Sequence, residues 1–290
     1  MPEYAGRYRG APPFVLQTET MTPNNPYRIV TVAGADRVEF LQGQLTQDLG
    51  LLEAGGALPA AWCNARGRVL VTGTLLGLED RVGFAVPADM AAAVVGRLGM
   101  YRLRARVEIA AAGDDWSCVA ARGRAARLPG AAVASHERND AWFEIYGRRD
   151  DVARSLSGRA TLAADEWRRR RIAAGLPDIG AAASERYTPH MLNLDRVGAL
   201  SFSKGCYTGQ EVVARTEHLG SVKRRLARFR VSDHAPIVGD RLGDDSGDVG
   251  EVVTAAGSEM LALLPIELHG RSFRLGAGRA EPLPLPWDGA

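Results

Sequence analysis

Hydrophobic positions in the first third of the chain recur with the two-residue period of strands, interrupted by two stretches of helical period. Strands are predicted from Tyr27 to Ala33 and at about 57–63, 68–76, 81–86 and 105–109. Asp36 and Glu39 have the spacing of a capping box. This predicts a helix from Asp36 whose buried stripe is Val38, Leu41, Leu45 and Leu49. With a second helix over Asp89–Met100, the order predicts an α+β layer with both helices on one side of an antiparallel sheet.

A second α+β layer is predicted to begin near Gly113. Its strands are expected at about 115–121 and 141–146, and its helices at about 148–156 and 165–173. Gly175 and Pro177 end the last helix. The stretch 181–205 has little periodicity, but its apolar side chains predict a packed segment.

Short hydrophobic runs separated by Gly and Asp follow Arg224, at about 226–231, 248–254, 259–264 and 271–275. They predict a small antiparallel β-barrel. The tail Pro282–Trp287 is too rich in proline for a central strand. The predicted fold class is therefore α+β, with two ferredoxin-like layers and a C-terminal barrel, divided into domains at 1–111, 112–222 and 223–290.

The composition agrees with several packed domains. The chain has 290 residues, of which 46% are hydrophobic and 24% charged, and its net charge is +2. These values suggest neither a disordered chain nor a protein that coats nucleic acid. No apolar run reaches the roughly 18 residues of a membrane span, and the N-terminal stretch lacks the apolar core of a signal peptide. We expect a cytoplasmic protein without membrane contact or direct nucleic-acid binding.

Three cysteines, Cys63, Cys118 and Cys206, are far apart in the sequence and form no CxxC motif. Neither a disulfide framework nor a four-thiolate metal site fits this pattern, so we expect a reducing compartment and no permanently bound metal. Cys63 and Cys118 fall inside apolar strands and are predicted to be buried.

Cys206 lies in a different setting, the segment Lys204–Glu211, hereafter the Cys206 segment. Only two of the 36 basic residues are lysines, and one of them, Lys204, stands two positions before Cys206. Thr208 and Glu211 have capping-box spacing, which predicts a helix from Thr208 and places Cys206 two residues before it. A helix start and a cation both favour the thiolate. Gly205 and Gly209 permit close approach of a partner; the alternative is a buried cysteine beside a loop.

Ser201–Arg215 closely resembles the hallmark segment of the YgfZ-type folate-binding proteins. These are relatives of the glycine-cleavage T-protein aminomethyltransferase and include a mitochondrial iron–sulfur cluster assembly factor. The resemblance extends in order over four further segments: Gly34–Asp48, Cys63–Arg68, Arg171–Pro177 and Pro189–Asp195.

The resemblance implies two α+β layers and a barrel around a central tetrahydrofolate site. It implies an accessory protein that supports assembly or repair of iron–sulfur enzymes, with those enzymes or assembly proteins as partners. Cys206 and Lys204 then carry the chemistry, within the motif residues Gly205, Tyr207, Gly209, Gln210 and Glu211. The implied folate contacts are the rings of Tyr27 and Trp167, the Glu144 carboxylate against the pterin's amino edge, and Arg171 at the glutamate tail.

Read without the resemblance, the same four residues have plainer interpretations. Trp167 suits a core position and Tyr27 a strand edge, while Glu144 suits a solvent-facing strand position and Arg171 the surface. The sequence also departs from the family pattern: Ser203 replaces a lysine, His190 a glutamine, and Tyr27 a tryptophan.

Two enzymatic alternatives stay open. A folate-dependent aminomethyltransferase needs an acidic residue in the turn after the first helix, and the corresponding stretch 64–71 contains no carboxylate. A thiol enzyme would use Cys206 as nucleophile with His218 or His190 as base.

Overall fold

The computed structural model describes residues 25–125, 130–136, 141–156 and 158–288. Its first sheet has five antiparallel strands in the order β2-β3-β4-β1-β5. The strands are β1 (Tyr27–Ala33), β2 (Ala57–Cys63), β3 (Val69–Gly77), β4 (Arg81–Pro87) and β5 (Glu108–Ala111). Helices α1 (Arg37–Gln42) and α2 (Ala91–Tyr101) contribute to one core with this sheet, through Leu41, Val94 and Leu98. The predicted α+β layer is confirmed.

The first helix is shorter than predicted. Helix α1 ends at Gln42, and the chain continues through turns to a single 3₁₀ turn at Leu49–Leu51. The predicted capping box is wrong, because the Asp36 carboxylate accepts hydrogen bonds from the backbone N and the guanidinium of Arg106 instead. Of the predicted stripe, Leu41, Leu45 and Leu49 are buried, whereas Val38 is exposed.

The second sheet has three antiparallel strands in the order β6-β8-β7. They are β6 (Trp116–Arg122), β7 (Ala131–His136) and β8 (Trp142–Arg148), followed by α3 (Arg149–Ser155) and α4 (Ala164–Ala173). Strand β7 was not predicted, because its small residues give no clear alternation. Side chains of both sheets and of α4 form a shared core, to which Ile29, Tyr146 and Trp167 contribute. The candidate folate residues lie in this core.

The segment 176–209 is built from turns, and the stretch 181–205 within it is packed, as predicted. Its backbone bonds to the first sheet through Tyr187 O and Val69 N (2.8 Å), and to the barrel through Met191 O and Leu226 N (3.0 Å). It fills the core between these two units with Leu192 and its neighbours.

Helix α5 (Gln210–Leu219) leads into a closed barrel ordered β10-β11-β12-β9-β14-β13. The strands are β9 (Arg224–Ser232), β10 (Arg241–Asp244), β11 (Gly247–Ala256), β12 (Glu259–Pro265), β13 (Phe273–Leu275) and β14 (Gly278–Leu283). The predicted barrel is confirmed, with β10 and β14 as additional strands. The prediction for the tail needs correction, since Pro282 lies in β14 opposite Phe229 of β9. Proline is accommodated there because the pairing of β14 with β13 has already ended at Ala280.

Within the described ranges, no helix has the length and apolar character needed to cross a membrane.

Candidate functional site

A buried carboxylate, Glu144 of β8, is the centre of a polar cluster between the two sheets and α4. Its side chain is 1% exposed. Atom Oε1 accepts hydrogen bonds from Trp167 Nε1 (2.6 Å) and Arg171 Nη1 (2.8 Å). Atom Oε2 lies 3.2 Å from His136 Nε2. Trp167 and Arg171 reach the same carboxylate because residues four apart share one face of a helix.

Tyr27 and Asp178 extend this cluster. The Tyr27 hydroxyl donates to Asp178 Oδ2 (2.5 Å), and Arg171 Nε donates to Asp178 Oδ1 (3.2 Å). The Tyr27 ring lies 4.7 Å from the Trp167 ring at an interplanar angle of 58°. The Arg171 guanidinium carbon stands 5.0 Å over the Tyr27 ring. We call these six residues, His136 included, the Glu144 cluster.

The charges of the cluster stabilise one another. Burial alone would raise the pKa of Glu144, but the Arg171 charge, together with His136 and the Trp167 hydrogen bond, holds that pKa below its ordinary value. Burial likewise opposes the charge of Arg171, and Glu144 overcomes it, so the pKa of Arg171 is raised. Burial raises the pKa of the Tyr27 hydroxyl, which therefore stays protonated and donates. Glu144 and Arg171 therefore form a buried ion pair beside the rings of Tyr27 and Trp167.

The structure brings together all four residues that the resemblance assigns to folate: Tyr27, Glu144, Trp167 and Arg171. The solvent-facing interpretation of Glu144 and the surface interpretation of Arg171 are wrong, because both side chains are buried. Sequence reasoning missed Asp178 and His136. Asp178 directly follows the helix-ending Pro177, a position that could have drawn attention, whereas His136 lies on the strand that was not predicted.

The Cys206 segment forms a second candidate site. Cys206 is exposed, while Cys63 and Cys118 are buried as predicted. Burial raises the pKa of the Cys63 thiol to about 12 and also raises the pKa of Cys118. Of the three, Cys206 is the thiol that solvent or a partner can reach.

Lys204 points away from solvent and into the protein. Its Nζ donates to Leu45 O (2.8 Å) and Gln47 O (2.7 Å), in the turns after α1. The ammonium also lies 5.2 Å from the centre of the Tyr207 ring. Burial lowers the pKa of Lys204 to about 8. These contacts anchor the Cys206 segment to the turns after α1.

The helix after Cys206 begins later than predicted. Helix α5 starts at Gln210, and its cap is Gly209, with φ of +85° and no capping side chain. The capping box at Thr208 is wrong: Gln210 Oε1 instead accepts a hydrogen bond from Tyr207 N (3.0 Å). Cys206 therefore lies four residues before the helix rather than two, which weakens the dipole argument for its thiolate.

Two of the sequence motifs meet in space. A Cβ on Gly209 would lie 2.5 Å from Asn64 O, in the turn between β2 and β3. A Cβ on Gly67, in the same turn, would lie 2.7 Å from Val212 Cβ of α5. The turn 64–67 therefore fits closely against the start of α5, and glycine is required on both sides.

The two histidines considered as bases have different surroundings. His190 is buried, with Nε2 2.9 Å from Glu217 Oε2 and Nδ1 lacking a partner among the described residues. His218 is exposed on α5. Within the part of the chain that the structure describes, no hydrogen bond joins Cys206 Sγ to either imidazole, and no group of three metal-ligating side chains is present.

Comparison with known proteins gives a consistent answer. The tRNA-modifying protein YgfZ of Klebsiella pneumoniae is 29% identical to this chain, over 93% of the chain and 94% of that protein. The chain is a relative of the YgfZ proteins. Those of Sodalis glossinidius and Yersinia enterocolitica are also 29% identical, covering 91% and 84% of this chain and 92% and 83% of their own lengths. The resemblance found in the motifs is confirmed, although no family model matches the chain.

A solved structure supports the fold independently of these YgfZ relatives. The glycine cleavage system aminomethyltransferase T of Bartonella henselae superposes with a TM-score of 0.66, over 89% of this chain and 82% of that one. At 19% identity the likeness shows the fold alone.

Proposed function

We propose that this protein binds a reduced folate such as tetrahydrofolate at the Glu144 cluster and presents Cys206 to a partner in iron–sulfur enzyme assembly or repair. The observation that carries the proposal is the convergence of Tyr27, Glu144, Trp167 and Arg171 from three distant parts of the sequence. A core without a ligand gains little from a buried ion pair beside two aromatic rings, because burying charges is costly.

The side chains of the cluster suit a folate. A pterin has a flat apolar face and an edge of N–H donors, which aromatic rings and a buried carboxylate recognise. When bound, tetrahydrofolate supplies a carrier of one-carbon units and a readily oxidised ring. Arg171 already bonds Glu144 and Asp178, so its geometry favours holding the carboxylate in place over meeting the glutamate tail.

Cys206 and Lys204 have separate roles in this proposal. Lys204 holds the segment through two backbone carbonyls, so that the thiol of Cys206 stays on the surface. Among the described residues, Gly205 beside it has no atom within 4 Å of the position of a Cβ, which leaves room for a partner. One thiolate cannot hold a cluster that generally takes about four ligands, so any iron–sulfur role is shared with that partner.

The name of the YgfZ relatives points to the process that is affected. We infer that modification of tRNA depends on this protein indirectly, through an iron–sulfur enzyme that it supports. The net charge of +2 does not favour a protein that coats nucleic acid. The aminomethyltransferase alternative has less support, because the turn 64–67 carries no carboxylate.

Calorimetry with 5-formyltetrahydrofolate tests the folate proposal. We expect saturable binding that Trp167→Ala weakens by about 1–3 kcal/mol, since the ring supplies a full apolar face. Arg171→Ala should also weaken binding. Arg168→Ala is the matched control, because Arg168 is exposed on the same helix. If neither Trp167→Ala nor Arg171→Ala changes the affinity, the assignment of the folate site to the Glu144 cluster is wrong.

Complementation in cells lacking the protein tests the role of Cys206. Cys206→Ser should fail to restore iron–sulfur enzymes and tRNA modification, whereas Cys63→Ser, at a buried thiol, serves as the control. The proposal for the segment is wrong if Cys206→Ser and Lys204→Ala both restore activity as wild type does.

A further inference from the structure

The two oxygens of Glu144 are unequally occupied. Oε1 accepts two short hydrogen bonds from buried side chains of α4, Trp167 at 2.6 Å and Arg171 at 2.8 Å. Among the described residues, Oε2 has one partner, His136 Nε2, at 3.2 Å. The His136 side chain is 20% exposed, so it is the outermost of the three partners. A ligand that approaches Glu144 therefore meets the imidazole first.

The imidazole of His136 packs against the indole of Trp142 on the neighbouring strand. The two residues are paired across β7 and β8, and their rings stack at 3.9 Å with an angle of 12°. Trp142 and Glu144 are two residues apart on β8, so they share one face of the strand. The imidazole consequently lies flat on an indole while its edge reaches a carboxylate oxygen.

This is the arrangement that a flat heteroaromatic ligand with an N–H edge would adopt. We propose that His136 is a displaceable occupant of the ligand site: the pterin edge replaces its imidazole at Glu144 Oε2, and the pterin ring replaces it on the face of Trp142. The inference rests on the proposed folate function and adds two residues to it, His136 as an internal competitor and Trp142 as the stacking surface.

The exchange leaves no buried group unsatisfied. Glu144 Oε1 keeps both of its donors, and Oε2 exchanges one N–H donor for another, so the carboxylate stays fully bonded throughout. His136 is the last residue of β7, and its displaced side chain loses no strand pairing when it turns towards solvent. The release of Trp167 or Arg171 would instead leave buried donors without acceptors, which singles out His136 among the three.

Opposite changes in affinity test the proposal. Calorimetry with 5-formyltetrahydrofolate should show tighter binding to His136→Ala, by about fivefold if one ordinary hydrogen bond no longer competes. Trp142→Ala should bind more weakly than wild type. His234→Ala is the matched control, since His234 also pairs with a carboxylate, Asp240, but in the barrel. A thermal unfolding curve for each variant confirms that it is folded.

Free imidazole gives a second measurement that does not depend on the stability of the variant. It should compete with the folate for His136→Ala and leave wild-type binding unchanged, because only the variant has the vacated position. Binding that His136→Ala leaves unchanged or weakens, with no competition by imidazole, overturns the assignment of His136 alone. Absence of saturable binding to both wild type and variant overturns the folate proposal, and this inference with it.

Discussion

Glu144 shows how a single residue determines the character of a site. Its carboxylate stays charged in the interior because Arg171, Trp167 and His136 replace the water that it has lost. Removing one partner of such a buried ion pair lowers the free energy of unfolding, because the other charge is then buried without compensation.

Glu144→Ala is therefore expected to lower the free energy of unfolding by about 3 kcal/mol, measured by urea denaturation. Arg171 keeps Asp178, so the loss falls short of that for an isolated charge. Glu166→Ala removes a partly exposed partner of Arg170 and should cost at most about 1 kcal/mol. Equal effects of the two variants would contradict the argument.

Lys204 predicts a pH dependence at alkaline pH. Burial lowers its pKa from 10.5 to about 8, so in this window the folded protein loses a proton that the unfolded chain still holds. The free energy of unfolding should therefore rise between these two values, relative to Lys204→Met. Below about pH 8, Lys204 stays protonated in the folded protein, so the full cost of burying its ammonium lowers the free energy of unfolding. Lys223→Met, at an exposed residue, is the control, and parallel curves for wild type and Lys204→Met would refute the prediction.

The three thiols should differ in reactivity. Alkylation followed by mass spectrometry is expected to label Cys206 first, because it is exposed while Cys63 and Cys118 are buried. Burial also raises the pKa of Cys63 to about 12, which leaves almost no thiolate there near neutral pH. Faster labelling of either buried cysteine would show that the strands open more readily than their packing indicates.

At the scale of elements, the Cys206 segment depends on the close contact between α5 and the β2–β3 turn. The left-handed conformation of Gly209 ends the segment and starts the helix, while Gly67 makes room for Val212. The position of Cys206 is thus determined by a turn about 140 residues earlier in the sequence.

Gly209→Ala tests this contact against a matched glycine. Gly198 also has a positive φ, +69°, but in the part of the chain that the structure describes no atom lies within 4 Å of the position of its Cβ. Gly198→Ala should therefore cost only the backbone strain, about 1–2 kcal/mol. Gly209→Ala should cost about 1–3 kcal/mol more, since its Cβ would lie 2.5 Å from Asn64 O. It should also change the alkylation rate of Cys206, and equal costs for both variants would mean that the turn simply moves aside.

At the scale of the whole molecule, continuous cores join the three structural units. One core lies between the two sheets and contains Tyr27, Trp142 and Trp167, and another joins the first sheet, the segment 176–209 and the barrel. A ligand in the first of these cores should therefore stabilise both sheets together.

Thermal unfolding with a reduced folate measures this coupling. At a concentration one hundred times the dissociation constant, we expect about 2.7 kcal/mol of stabilisation and an increase of several degrees in Tm. Trp167→Ala should reduce the shift at the same folate concentration. An unchanged Tm for wild type under saturating conditions would mean that the ligand does not bind the folded protein preferentially.

The sequence by itself determined the elements whose signals are local. Strands β2, β3 and β4, helices α2, α3 and α4, and the barrel are confirmed because alternation, helical periodicity and glycine-rich turns act over a few residues. The burial of Cys63 and Cys118 follows from the same patterns. The motif resemblance added the four residues that meet at the Glu144 cluster.

Only the tertiary structure decided the contacts that depend on distant partners. Asp36 bonds Arg106 instead of capping α1, and Lys204 bonds two carbonyls after α1 instead of lying free beside Cys206. His136 contacts Glu144 because β7 pairs with β8, although the small residues of β7 did not predict a strand. In each case the partner comes from another element of the fold. For Lys204, burial makes such a partner necessary, since a polar group removed from water must find its hydrogen bonds wherever the fold places them.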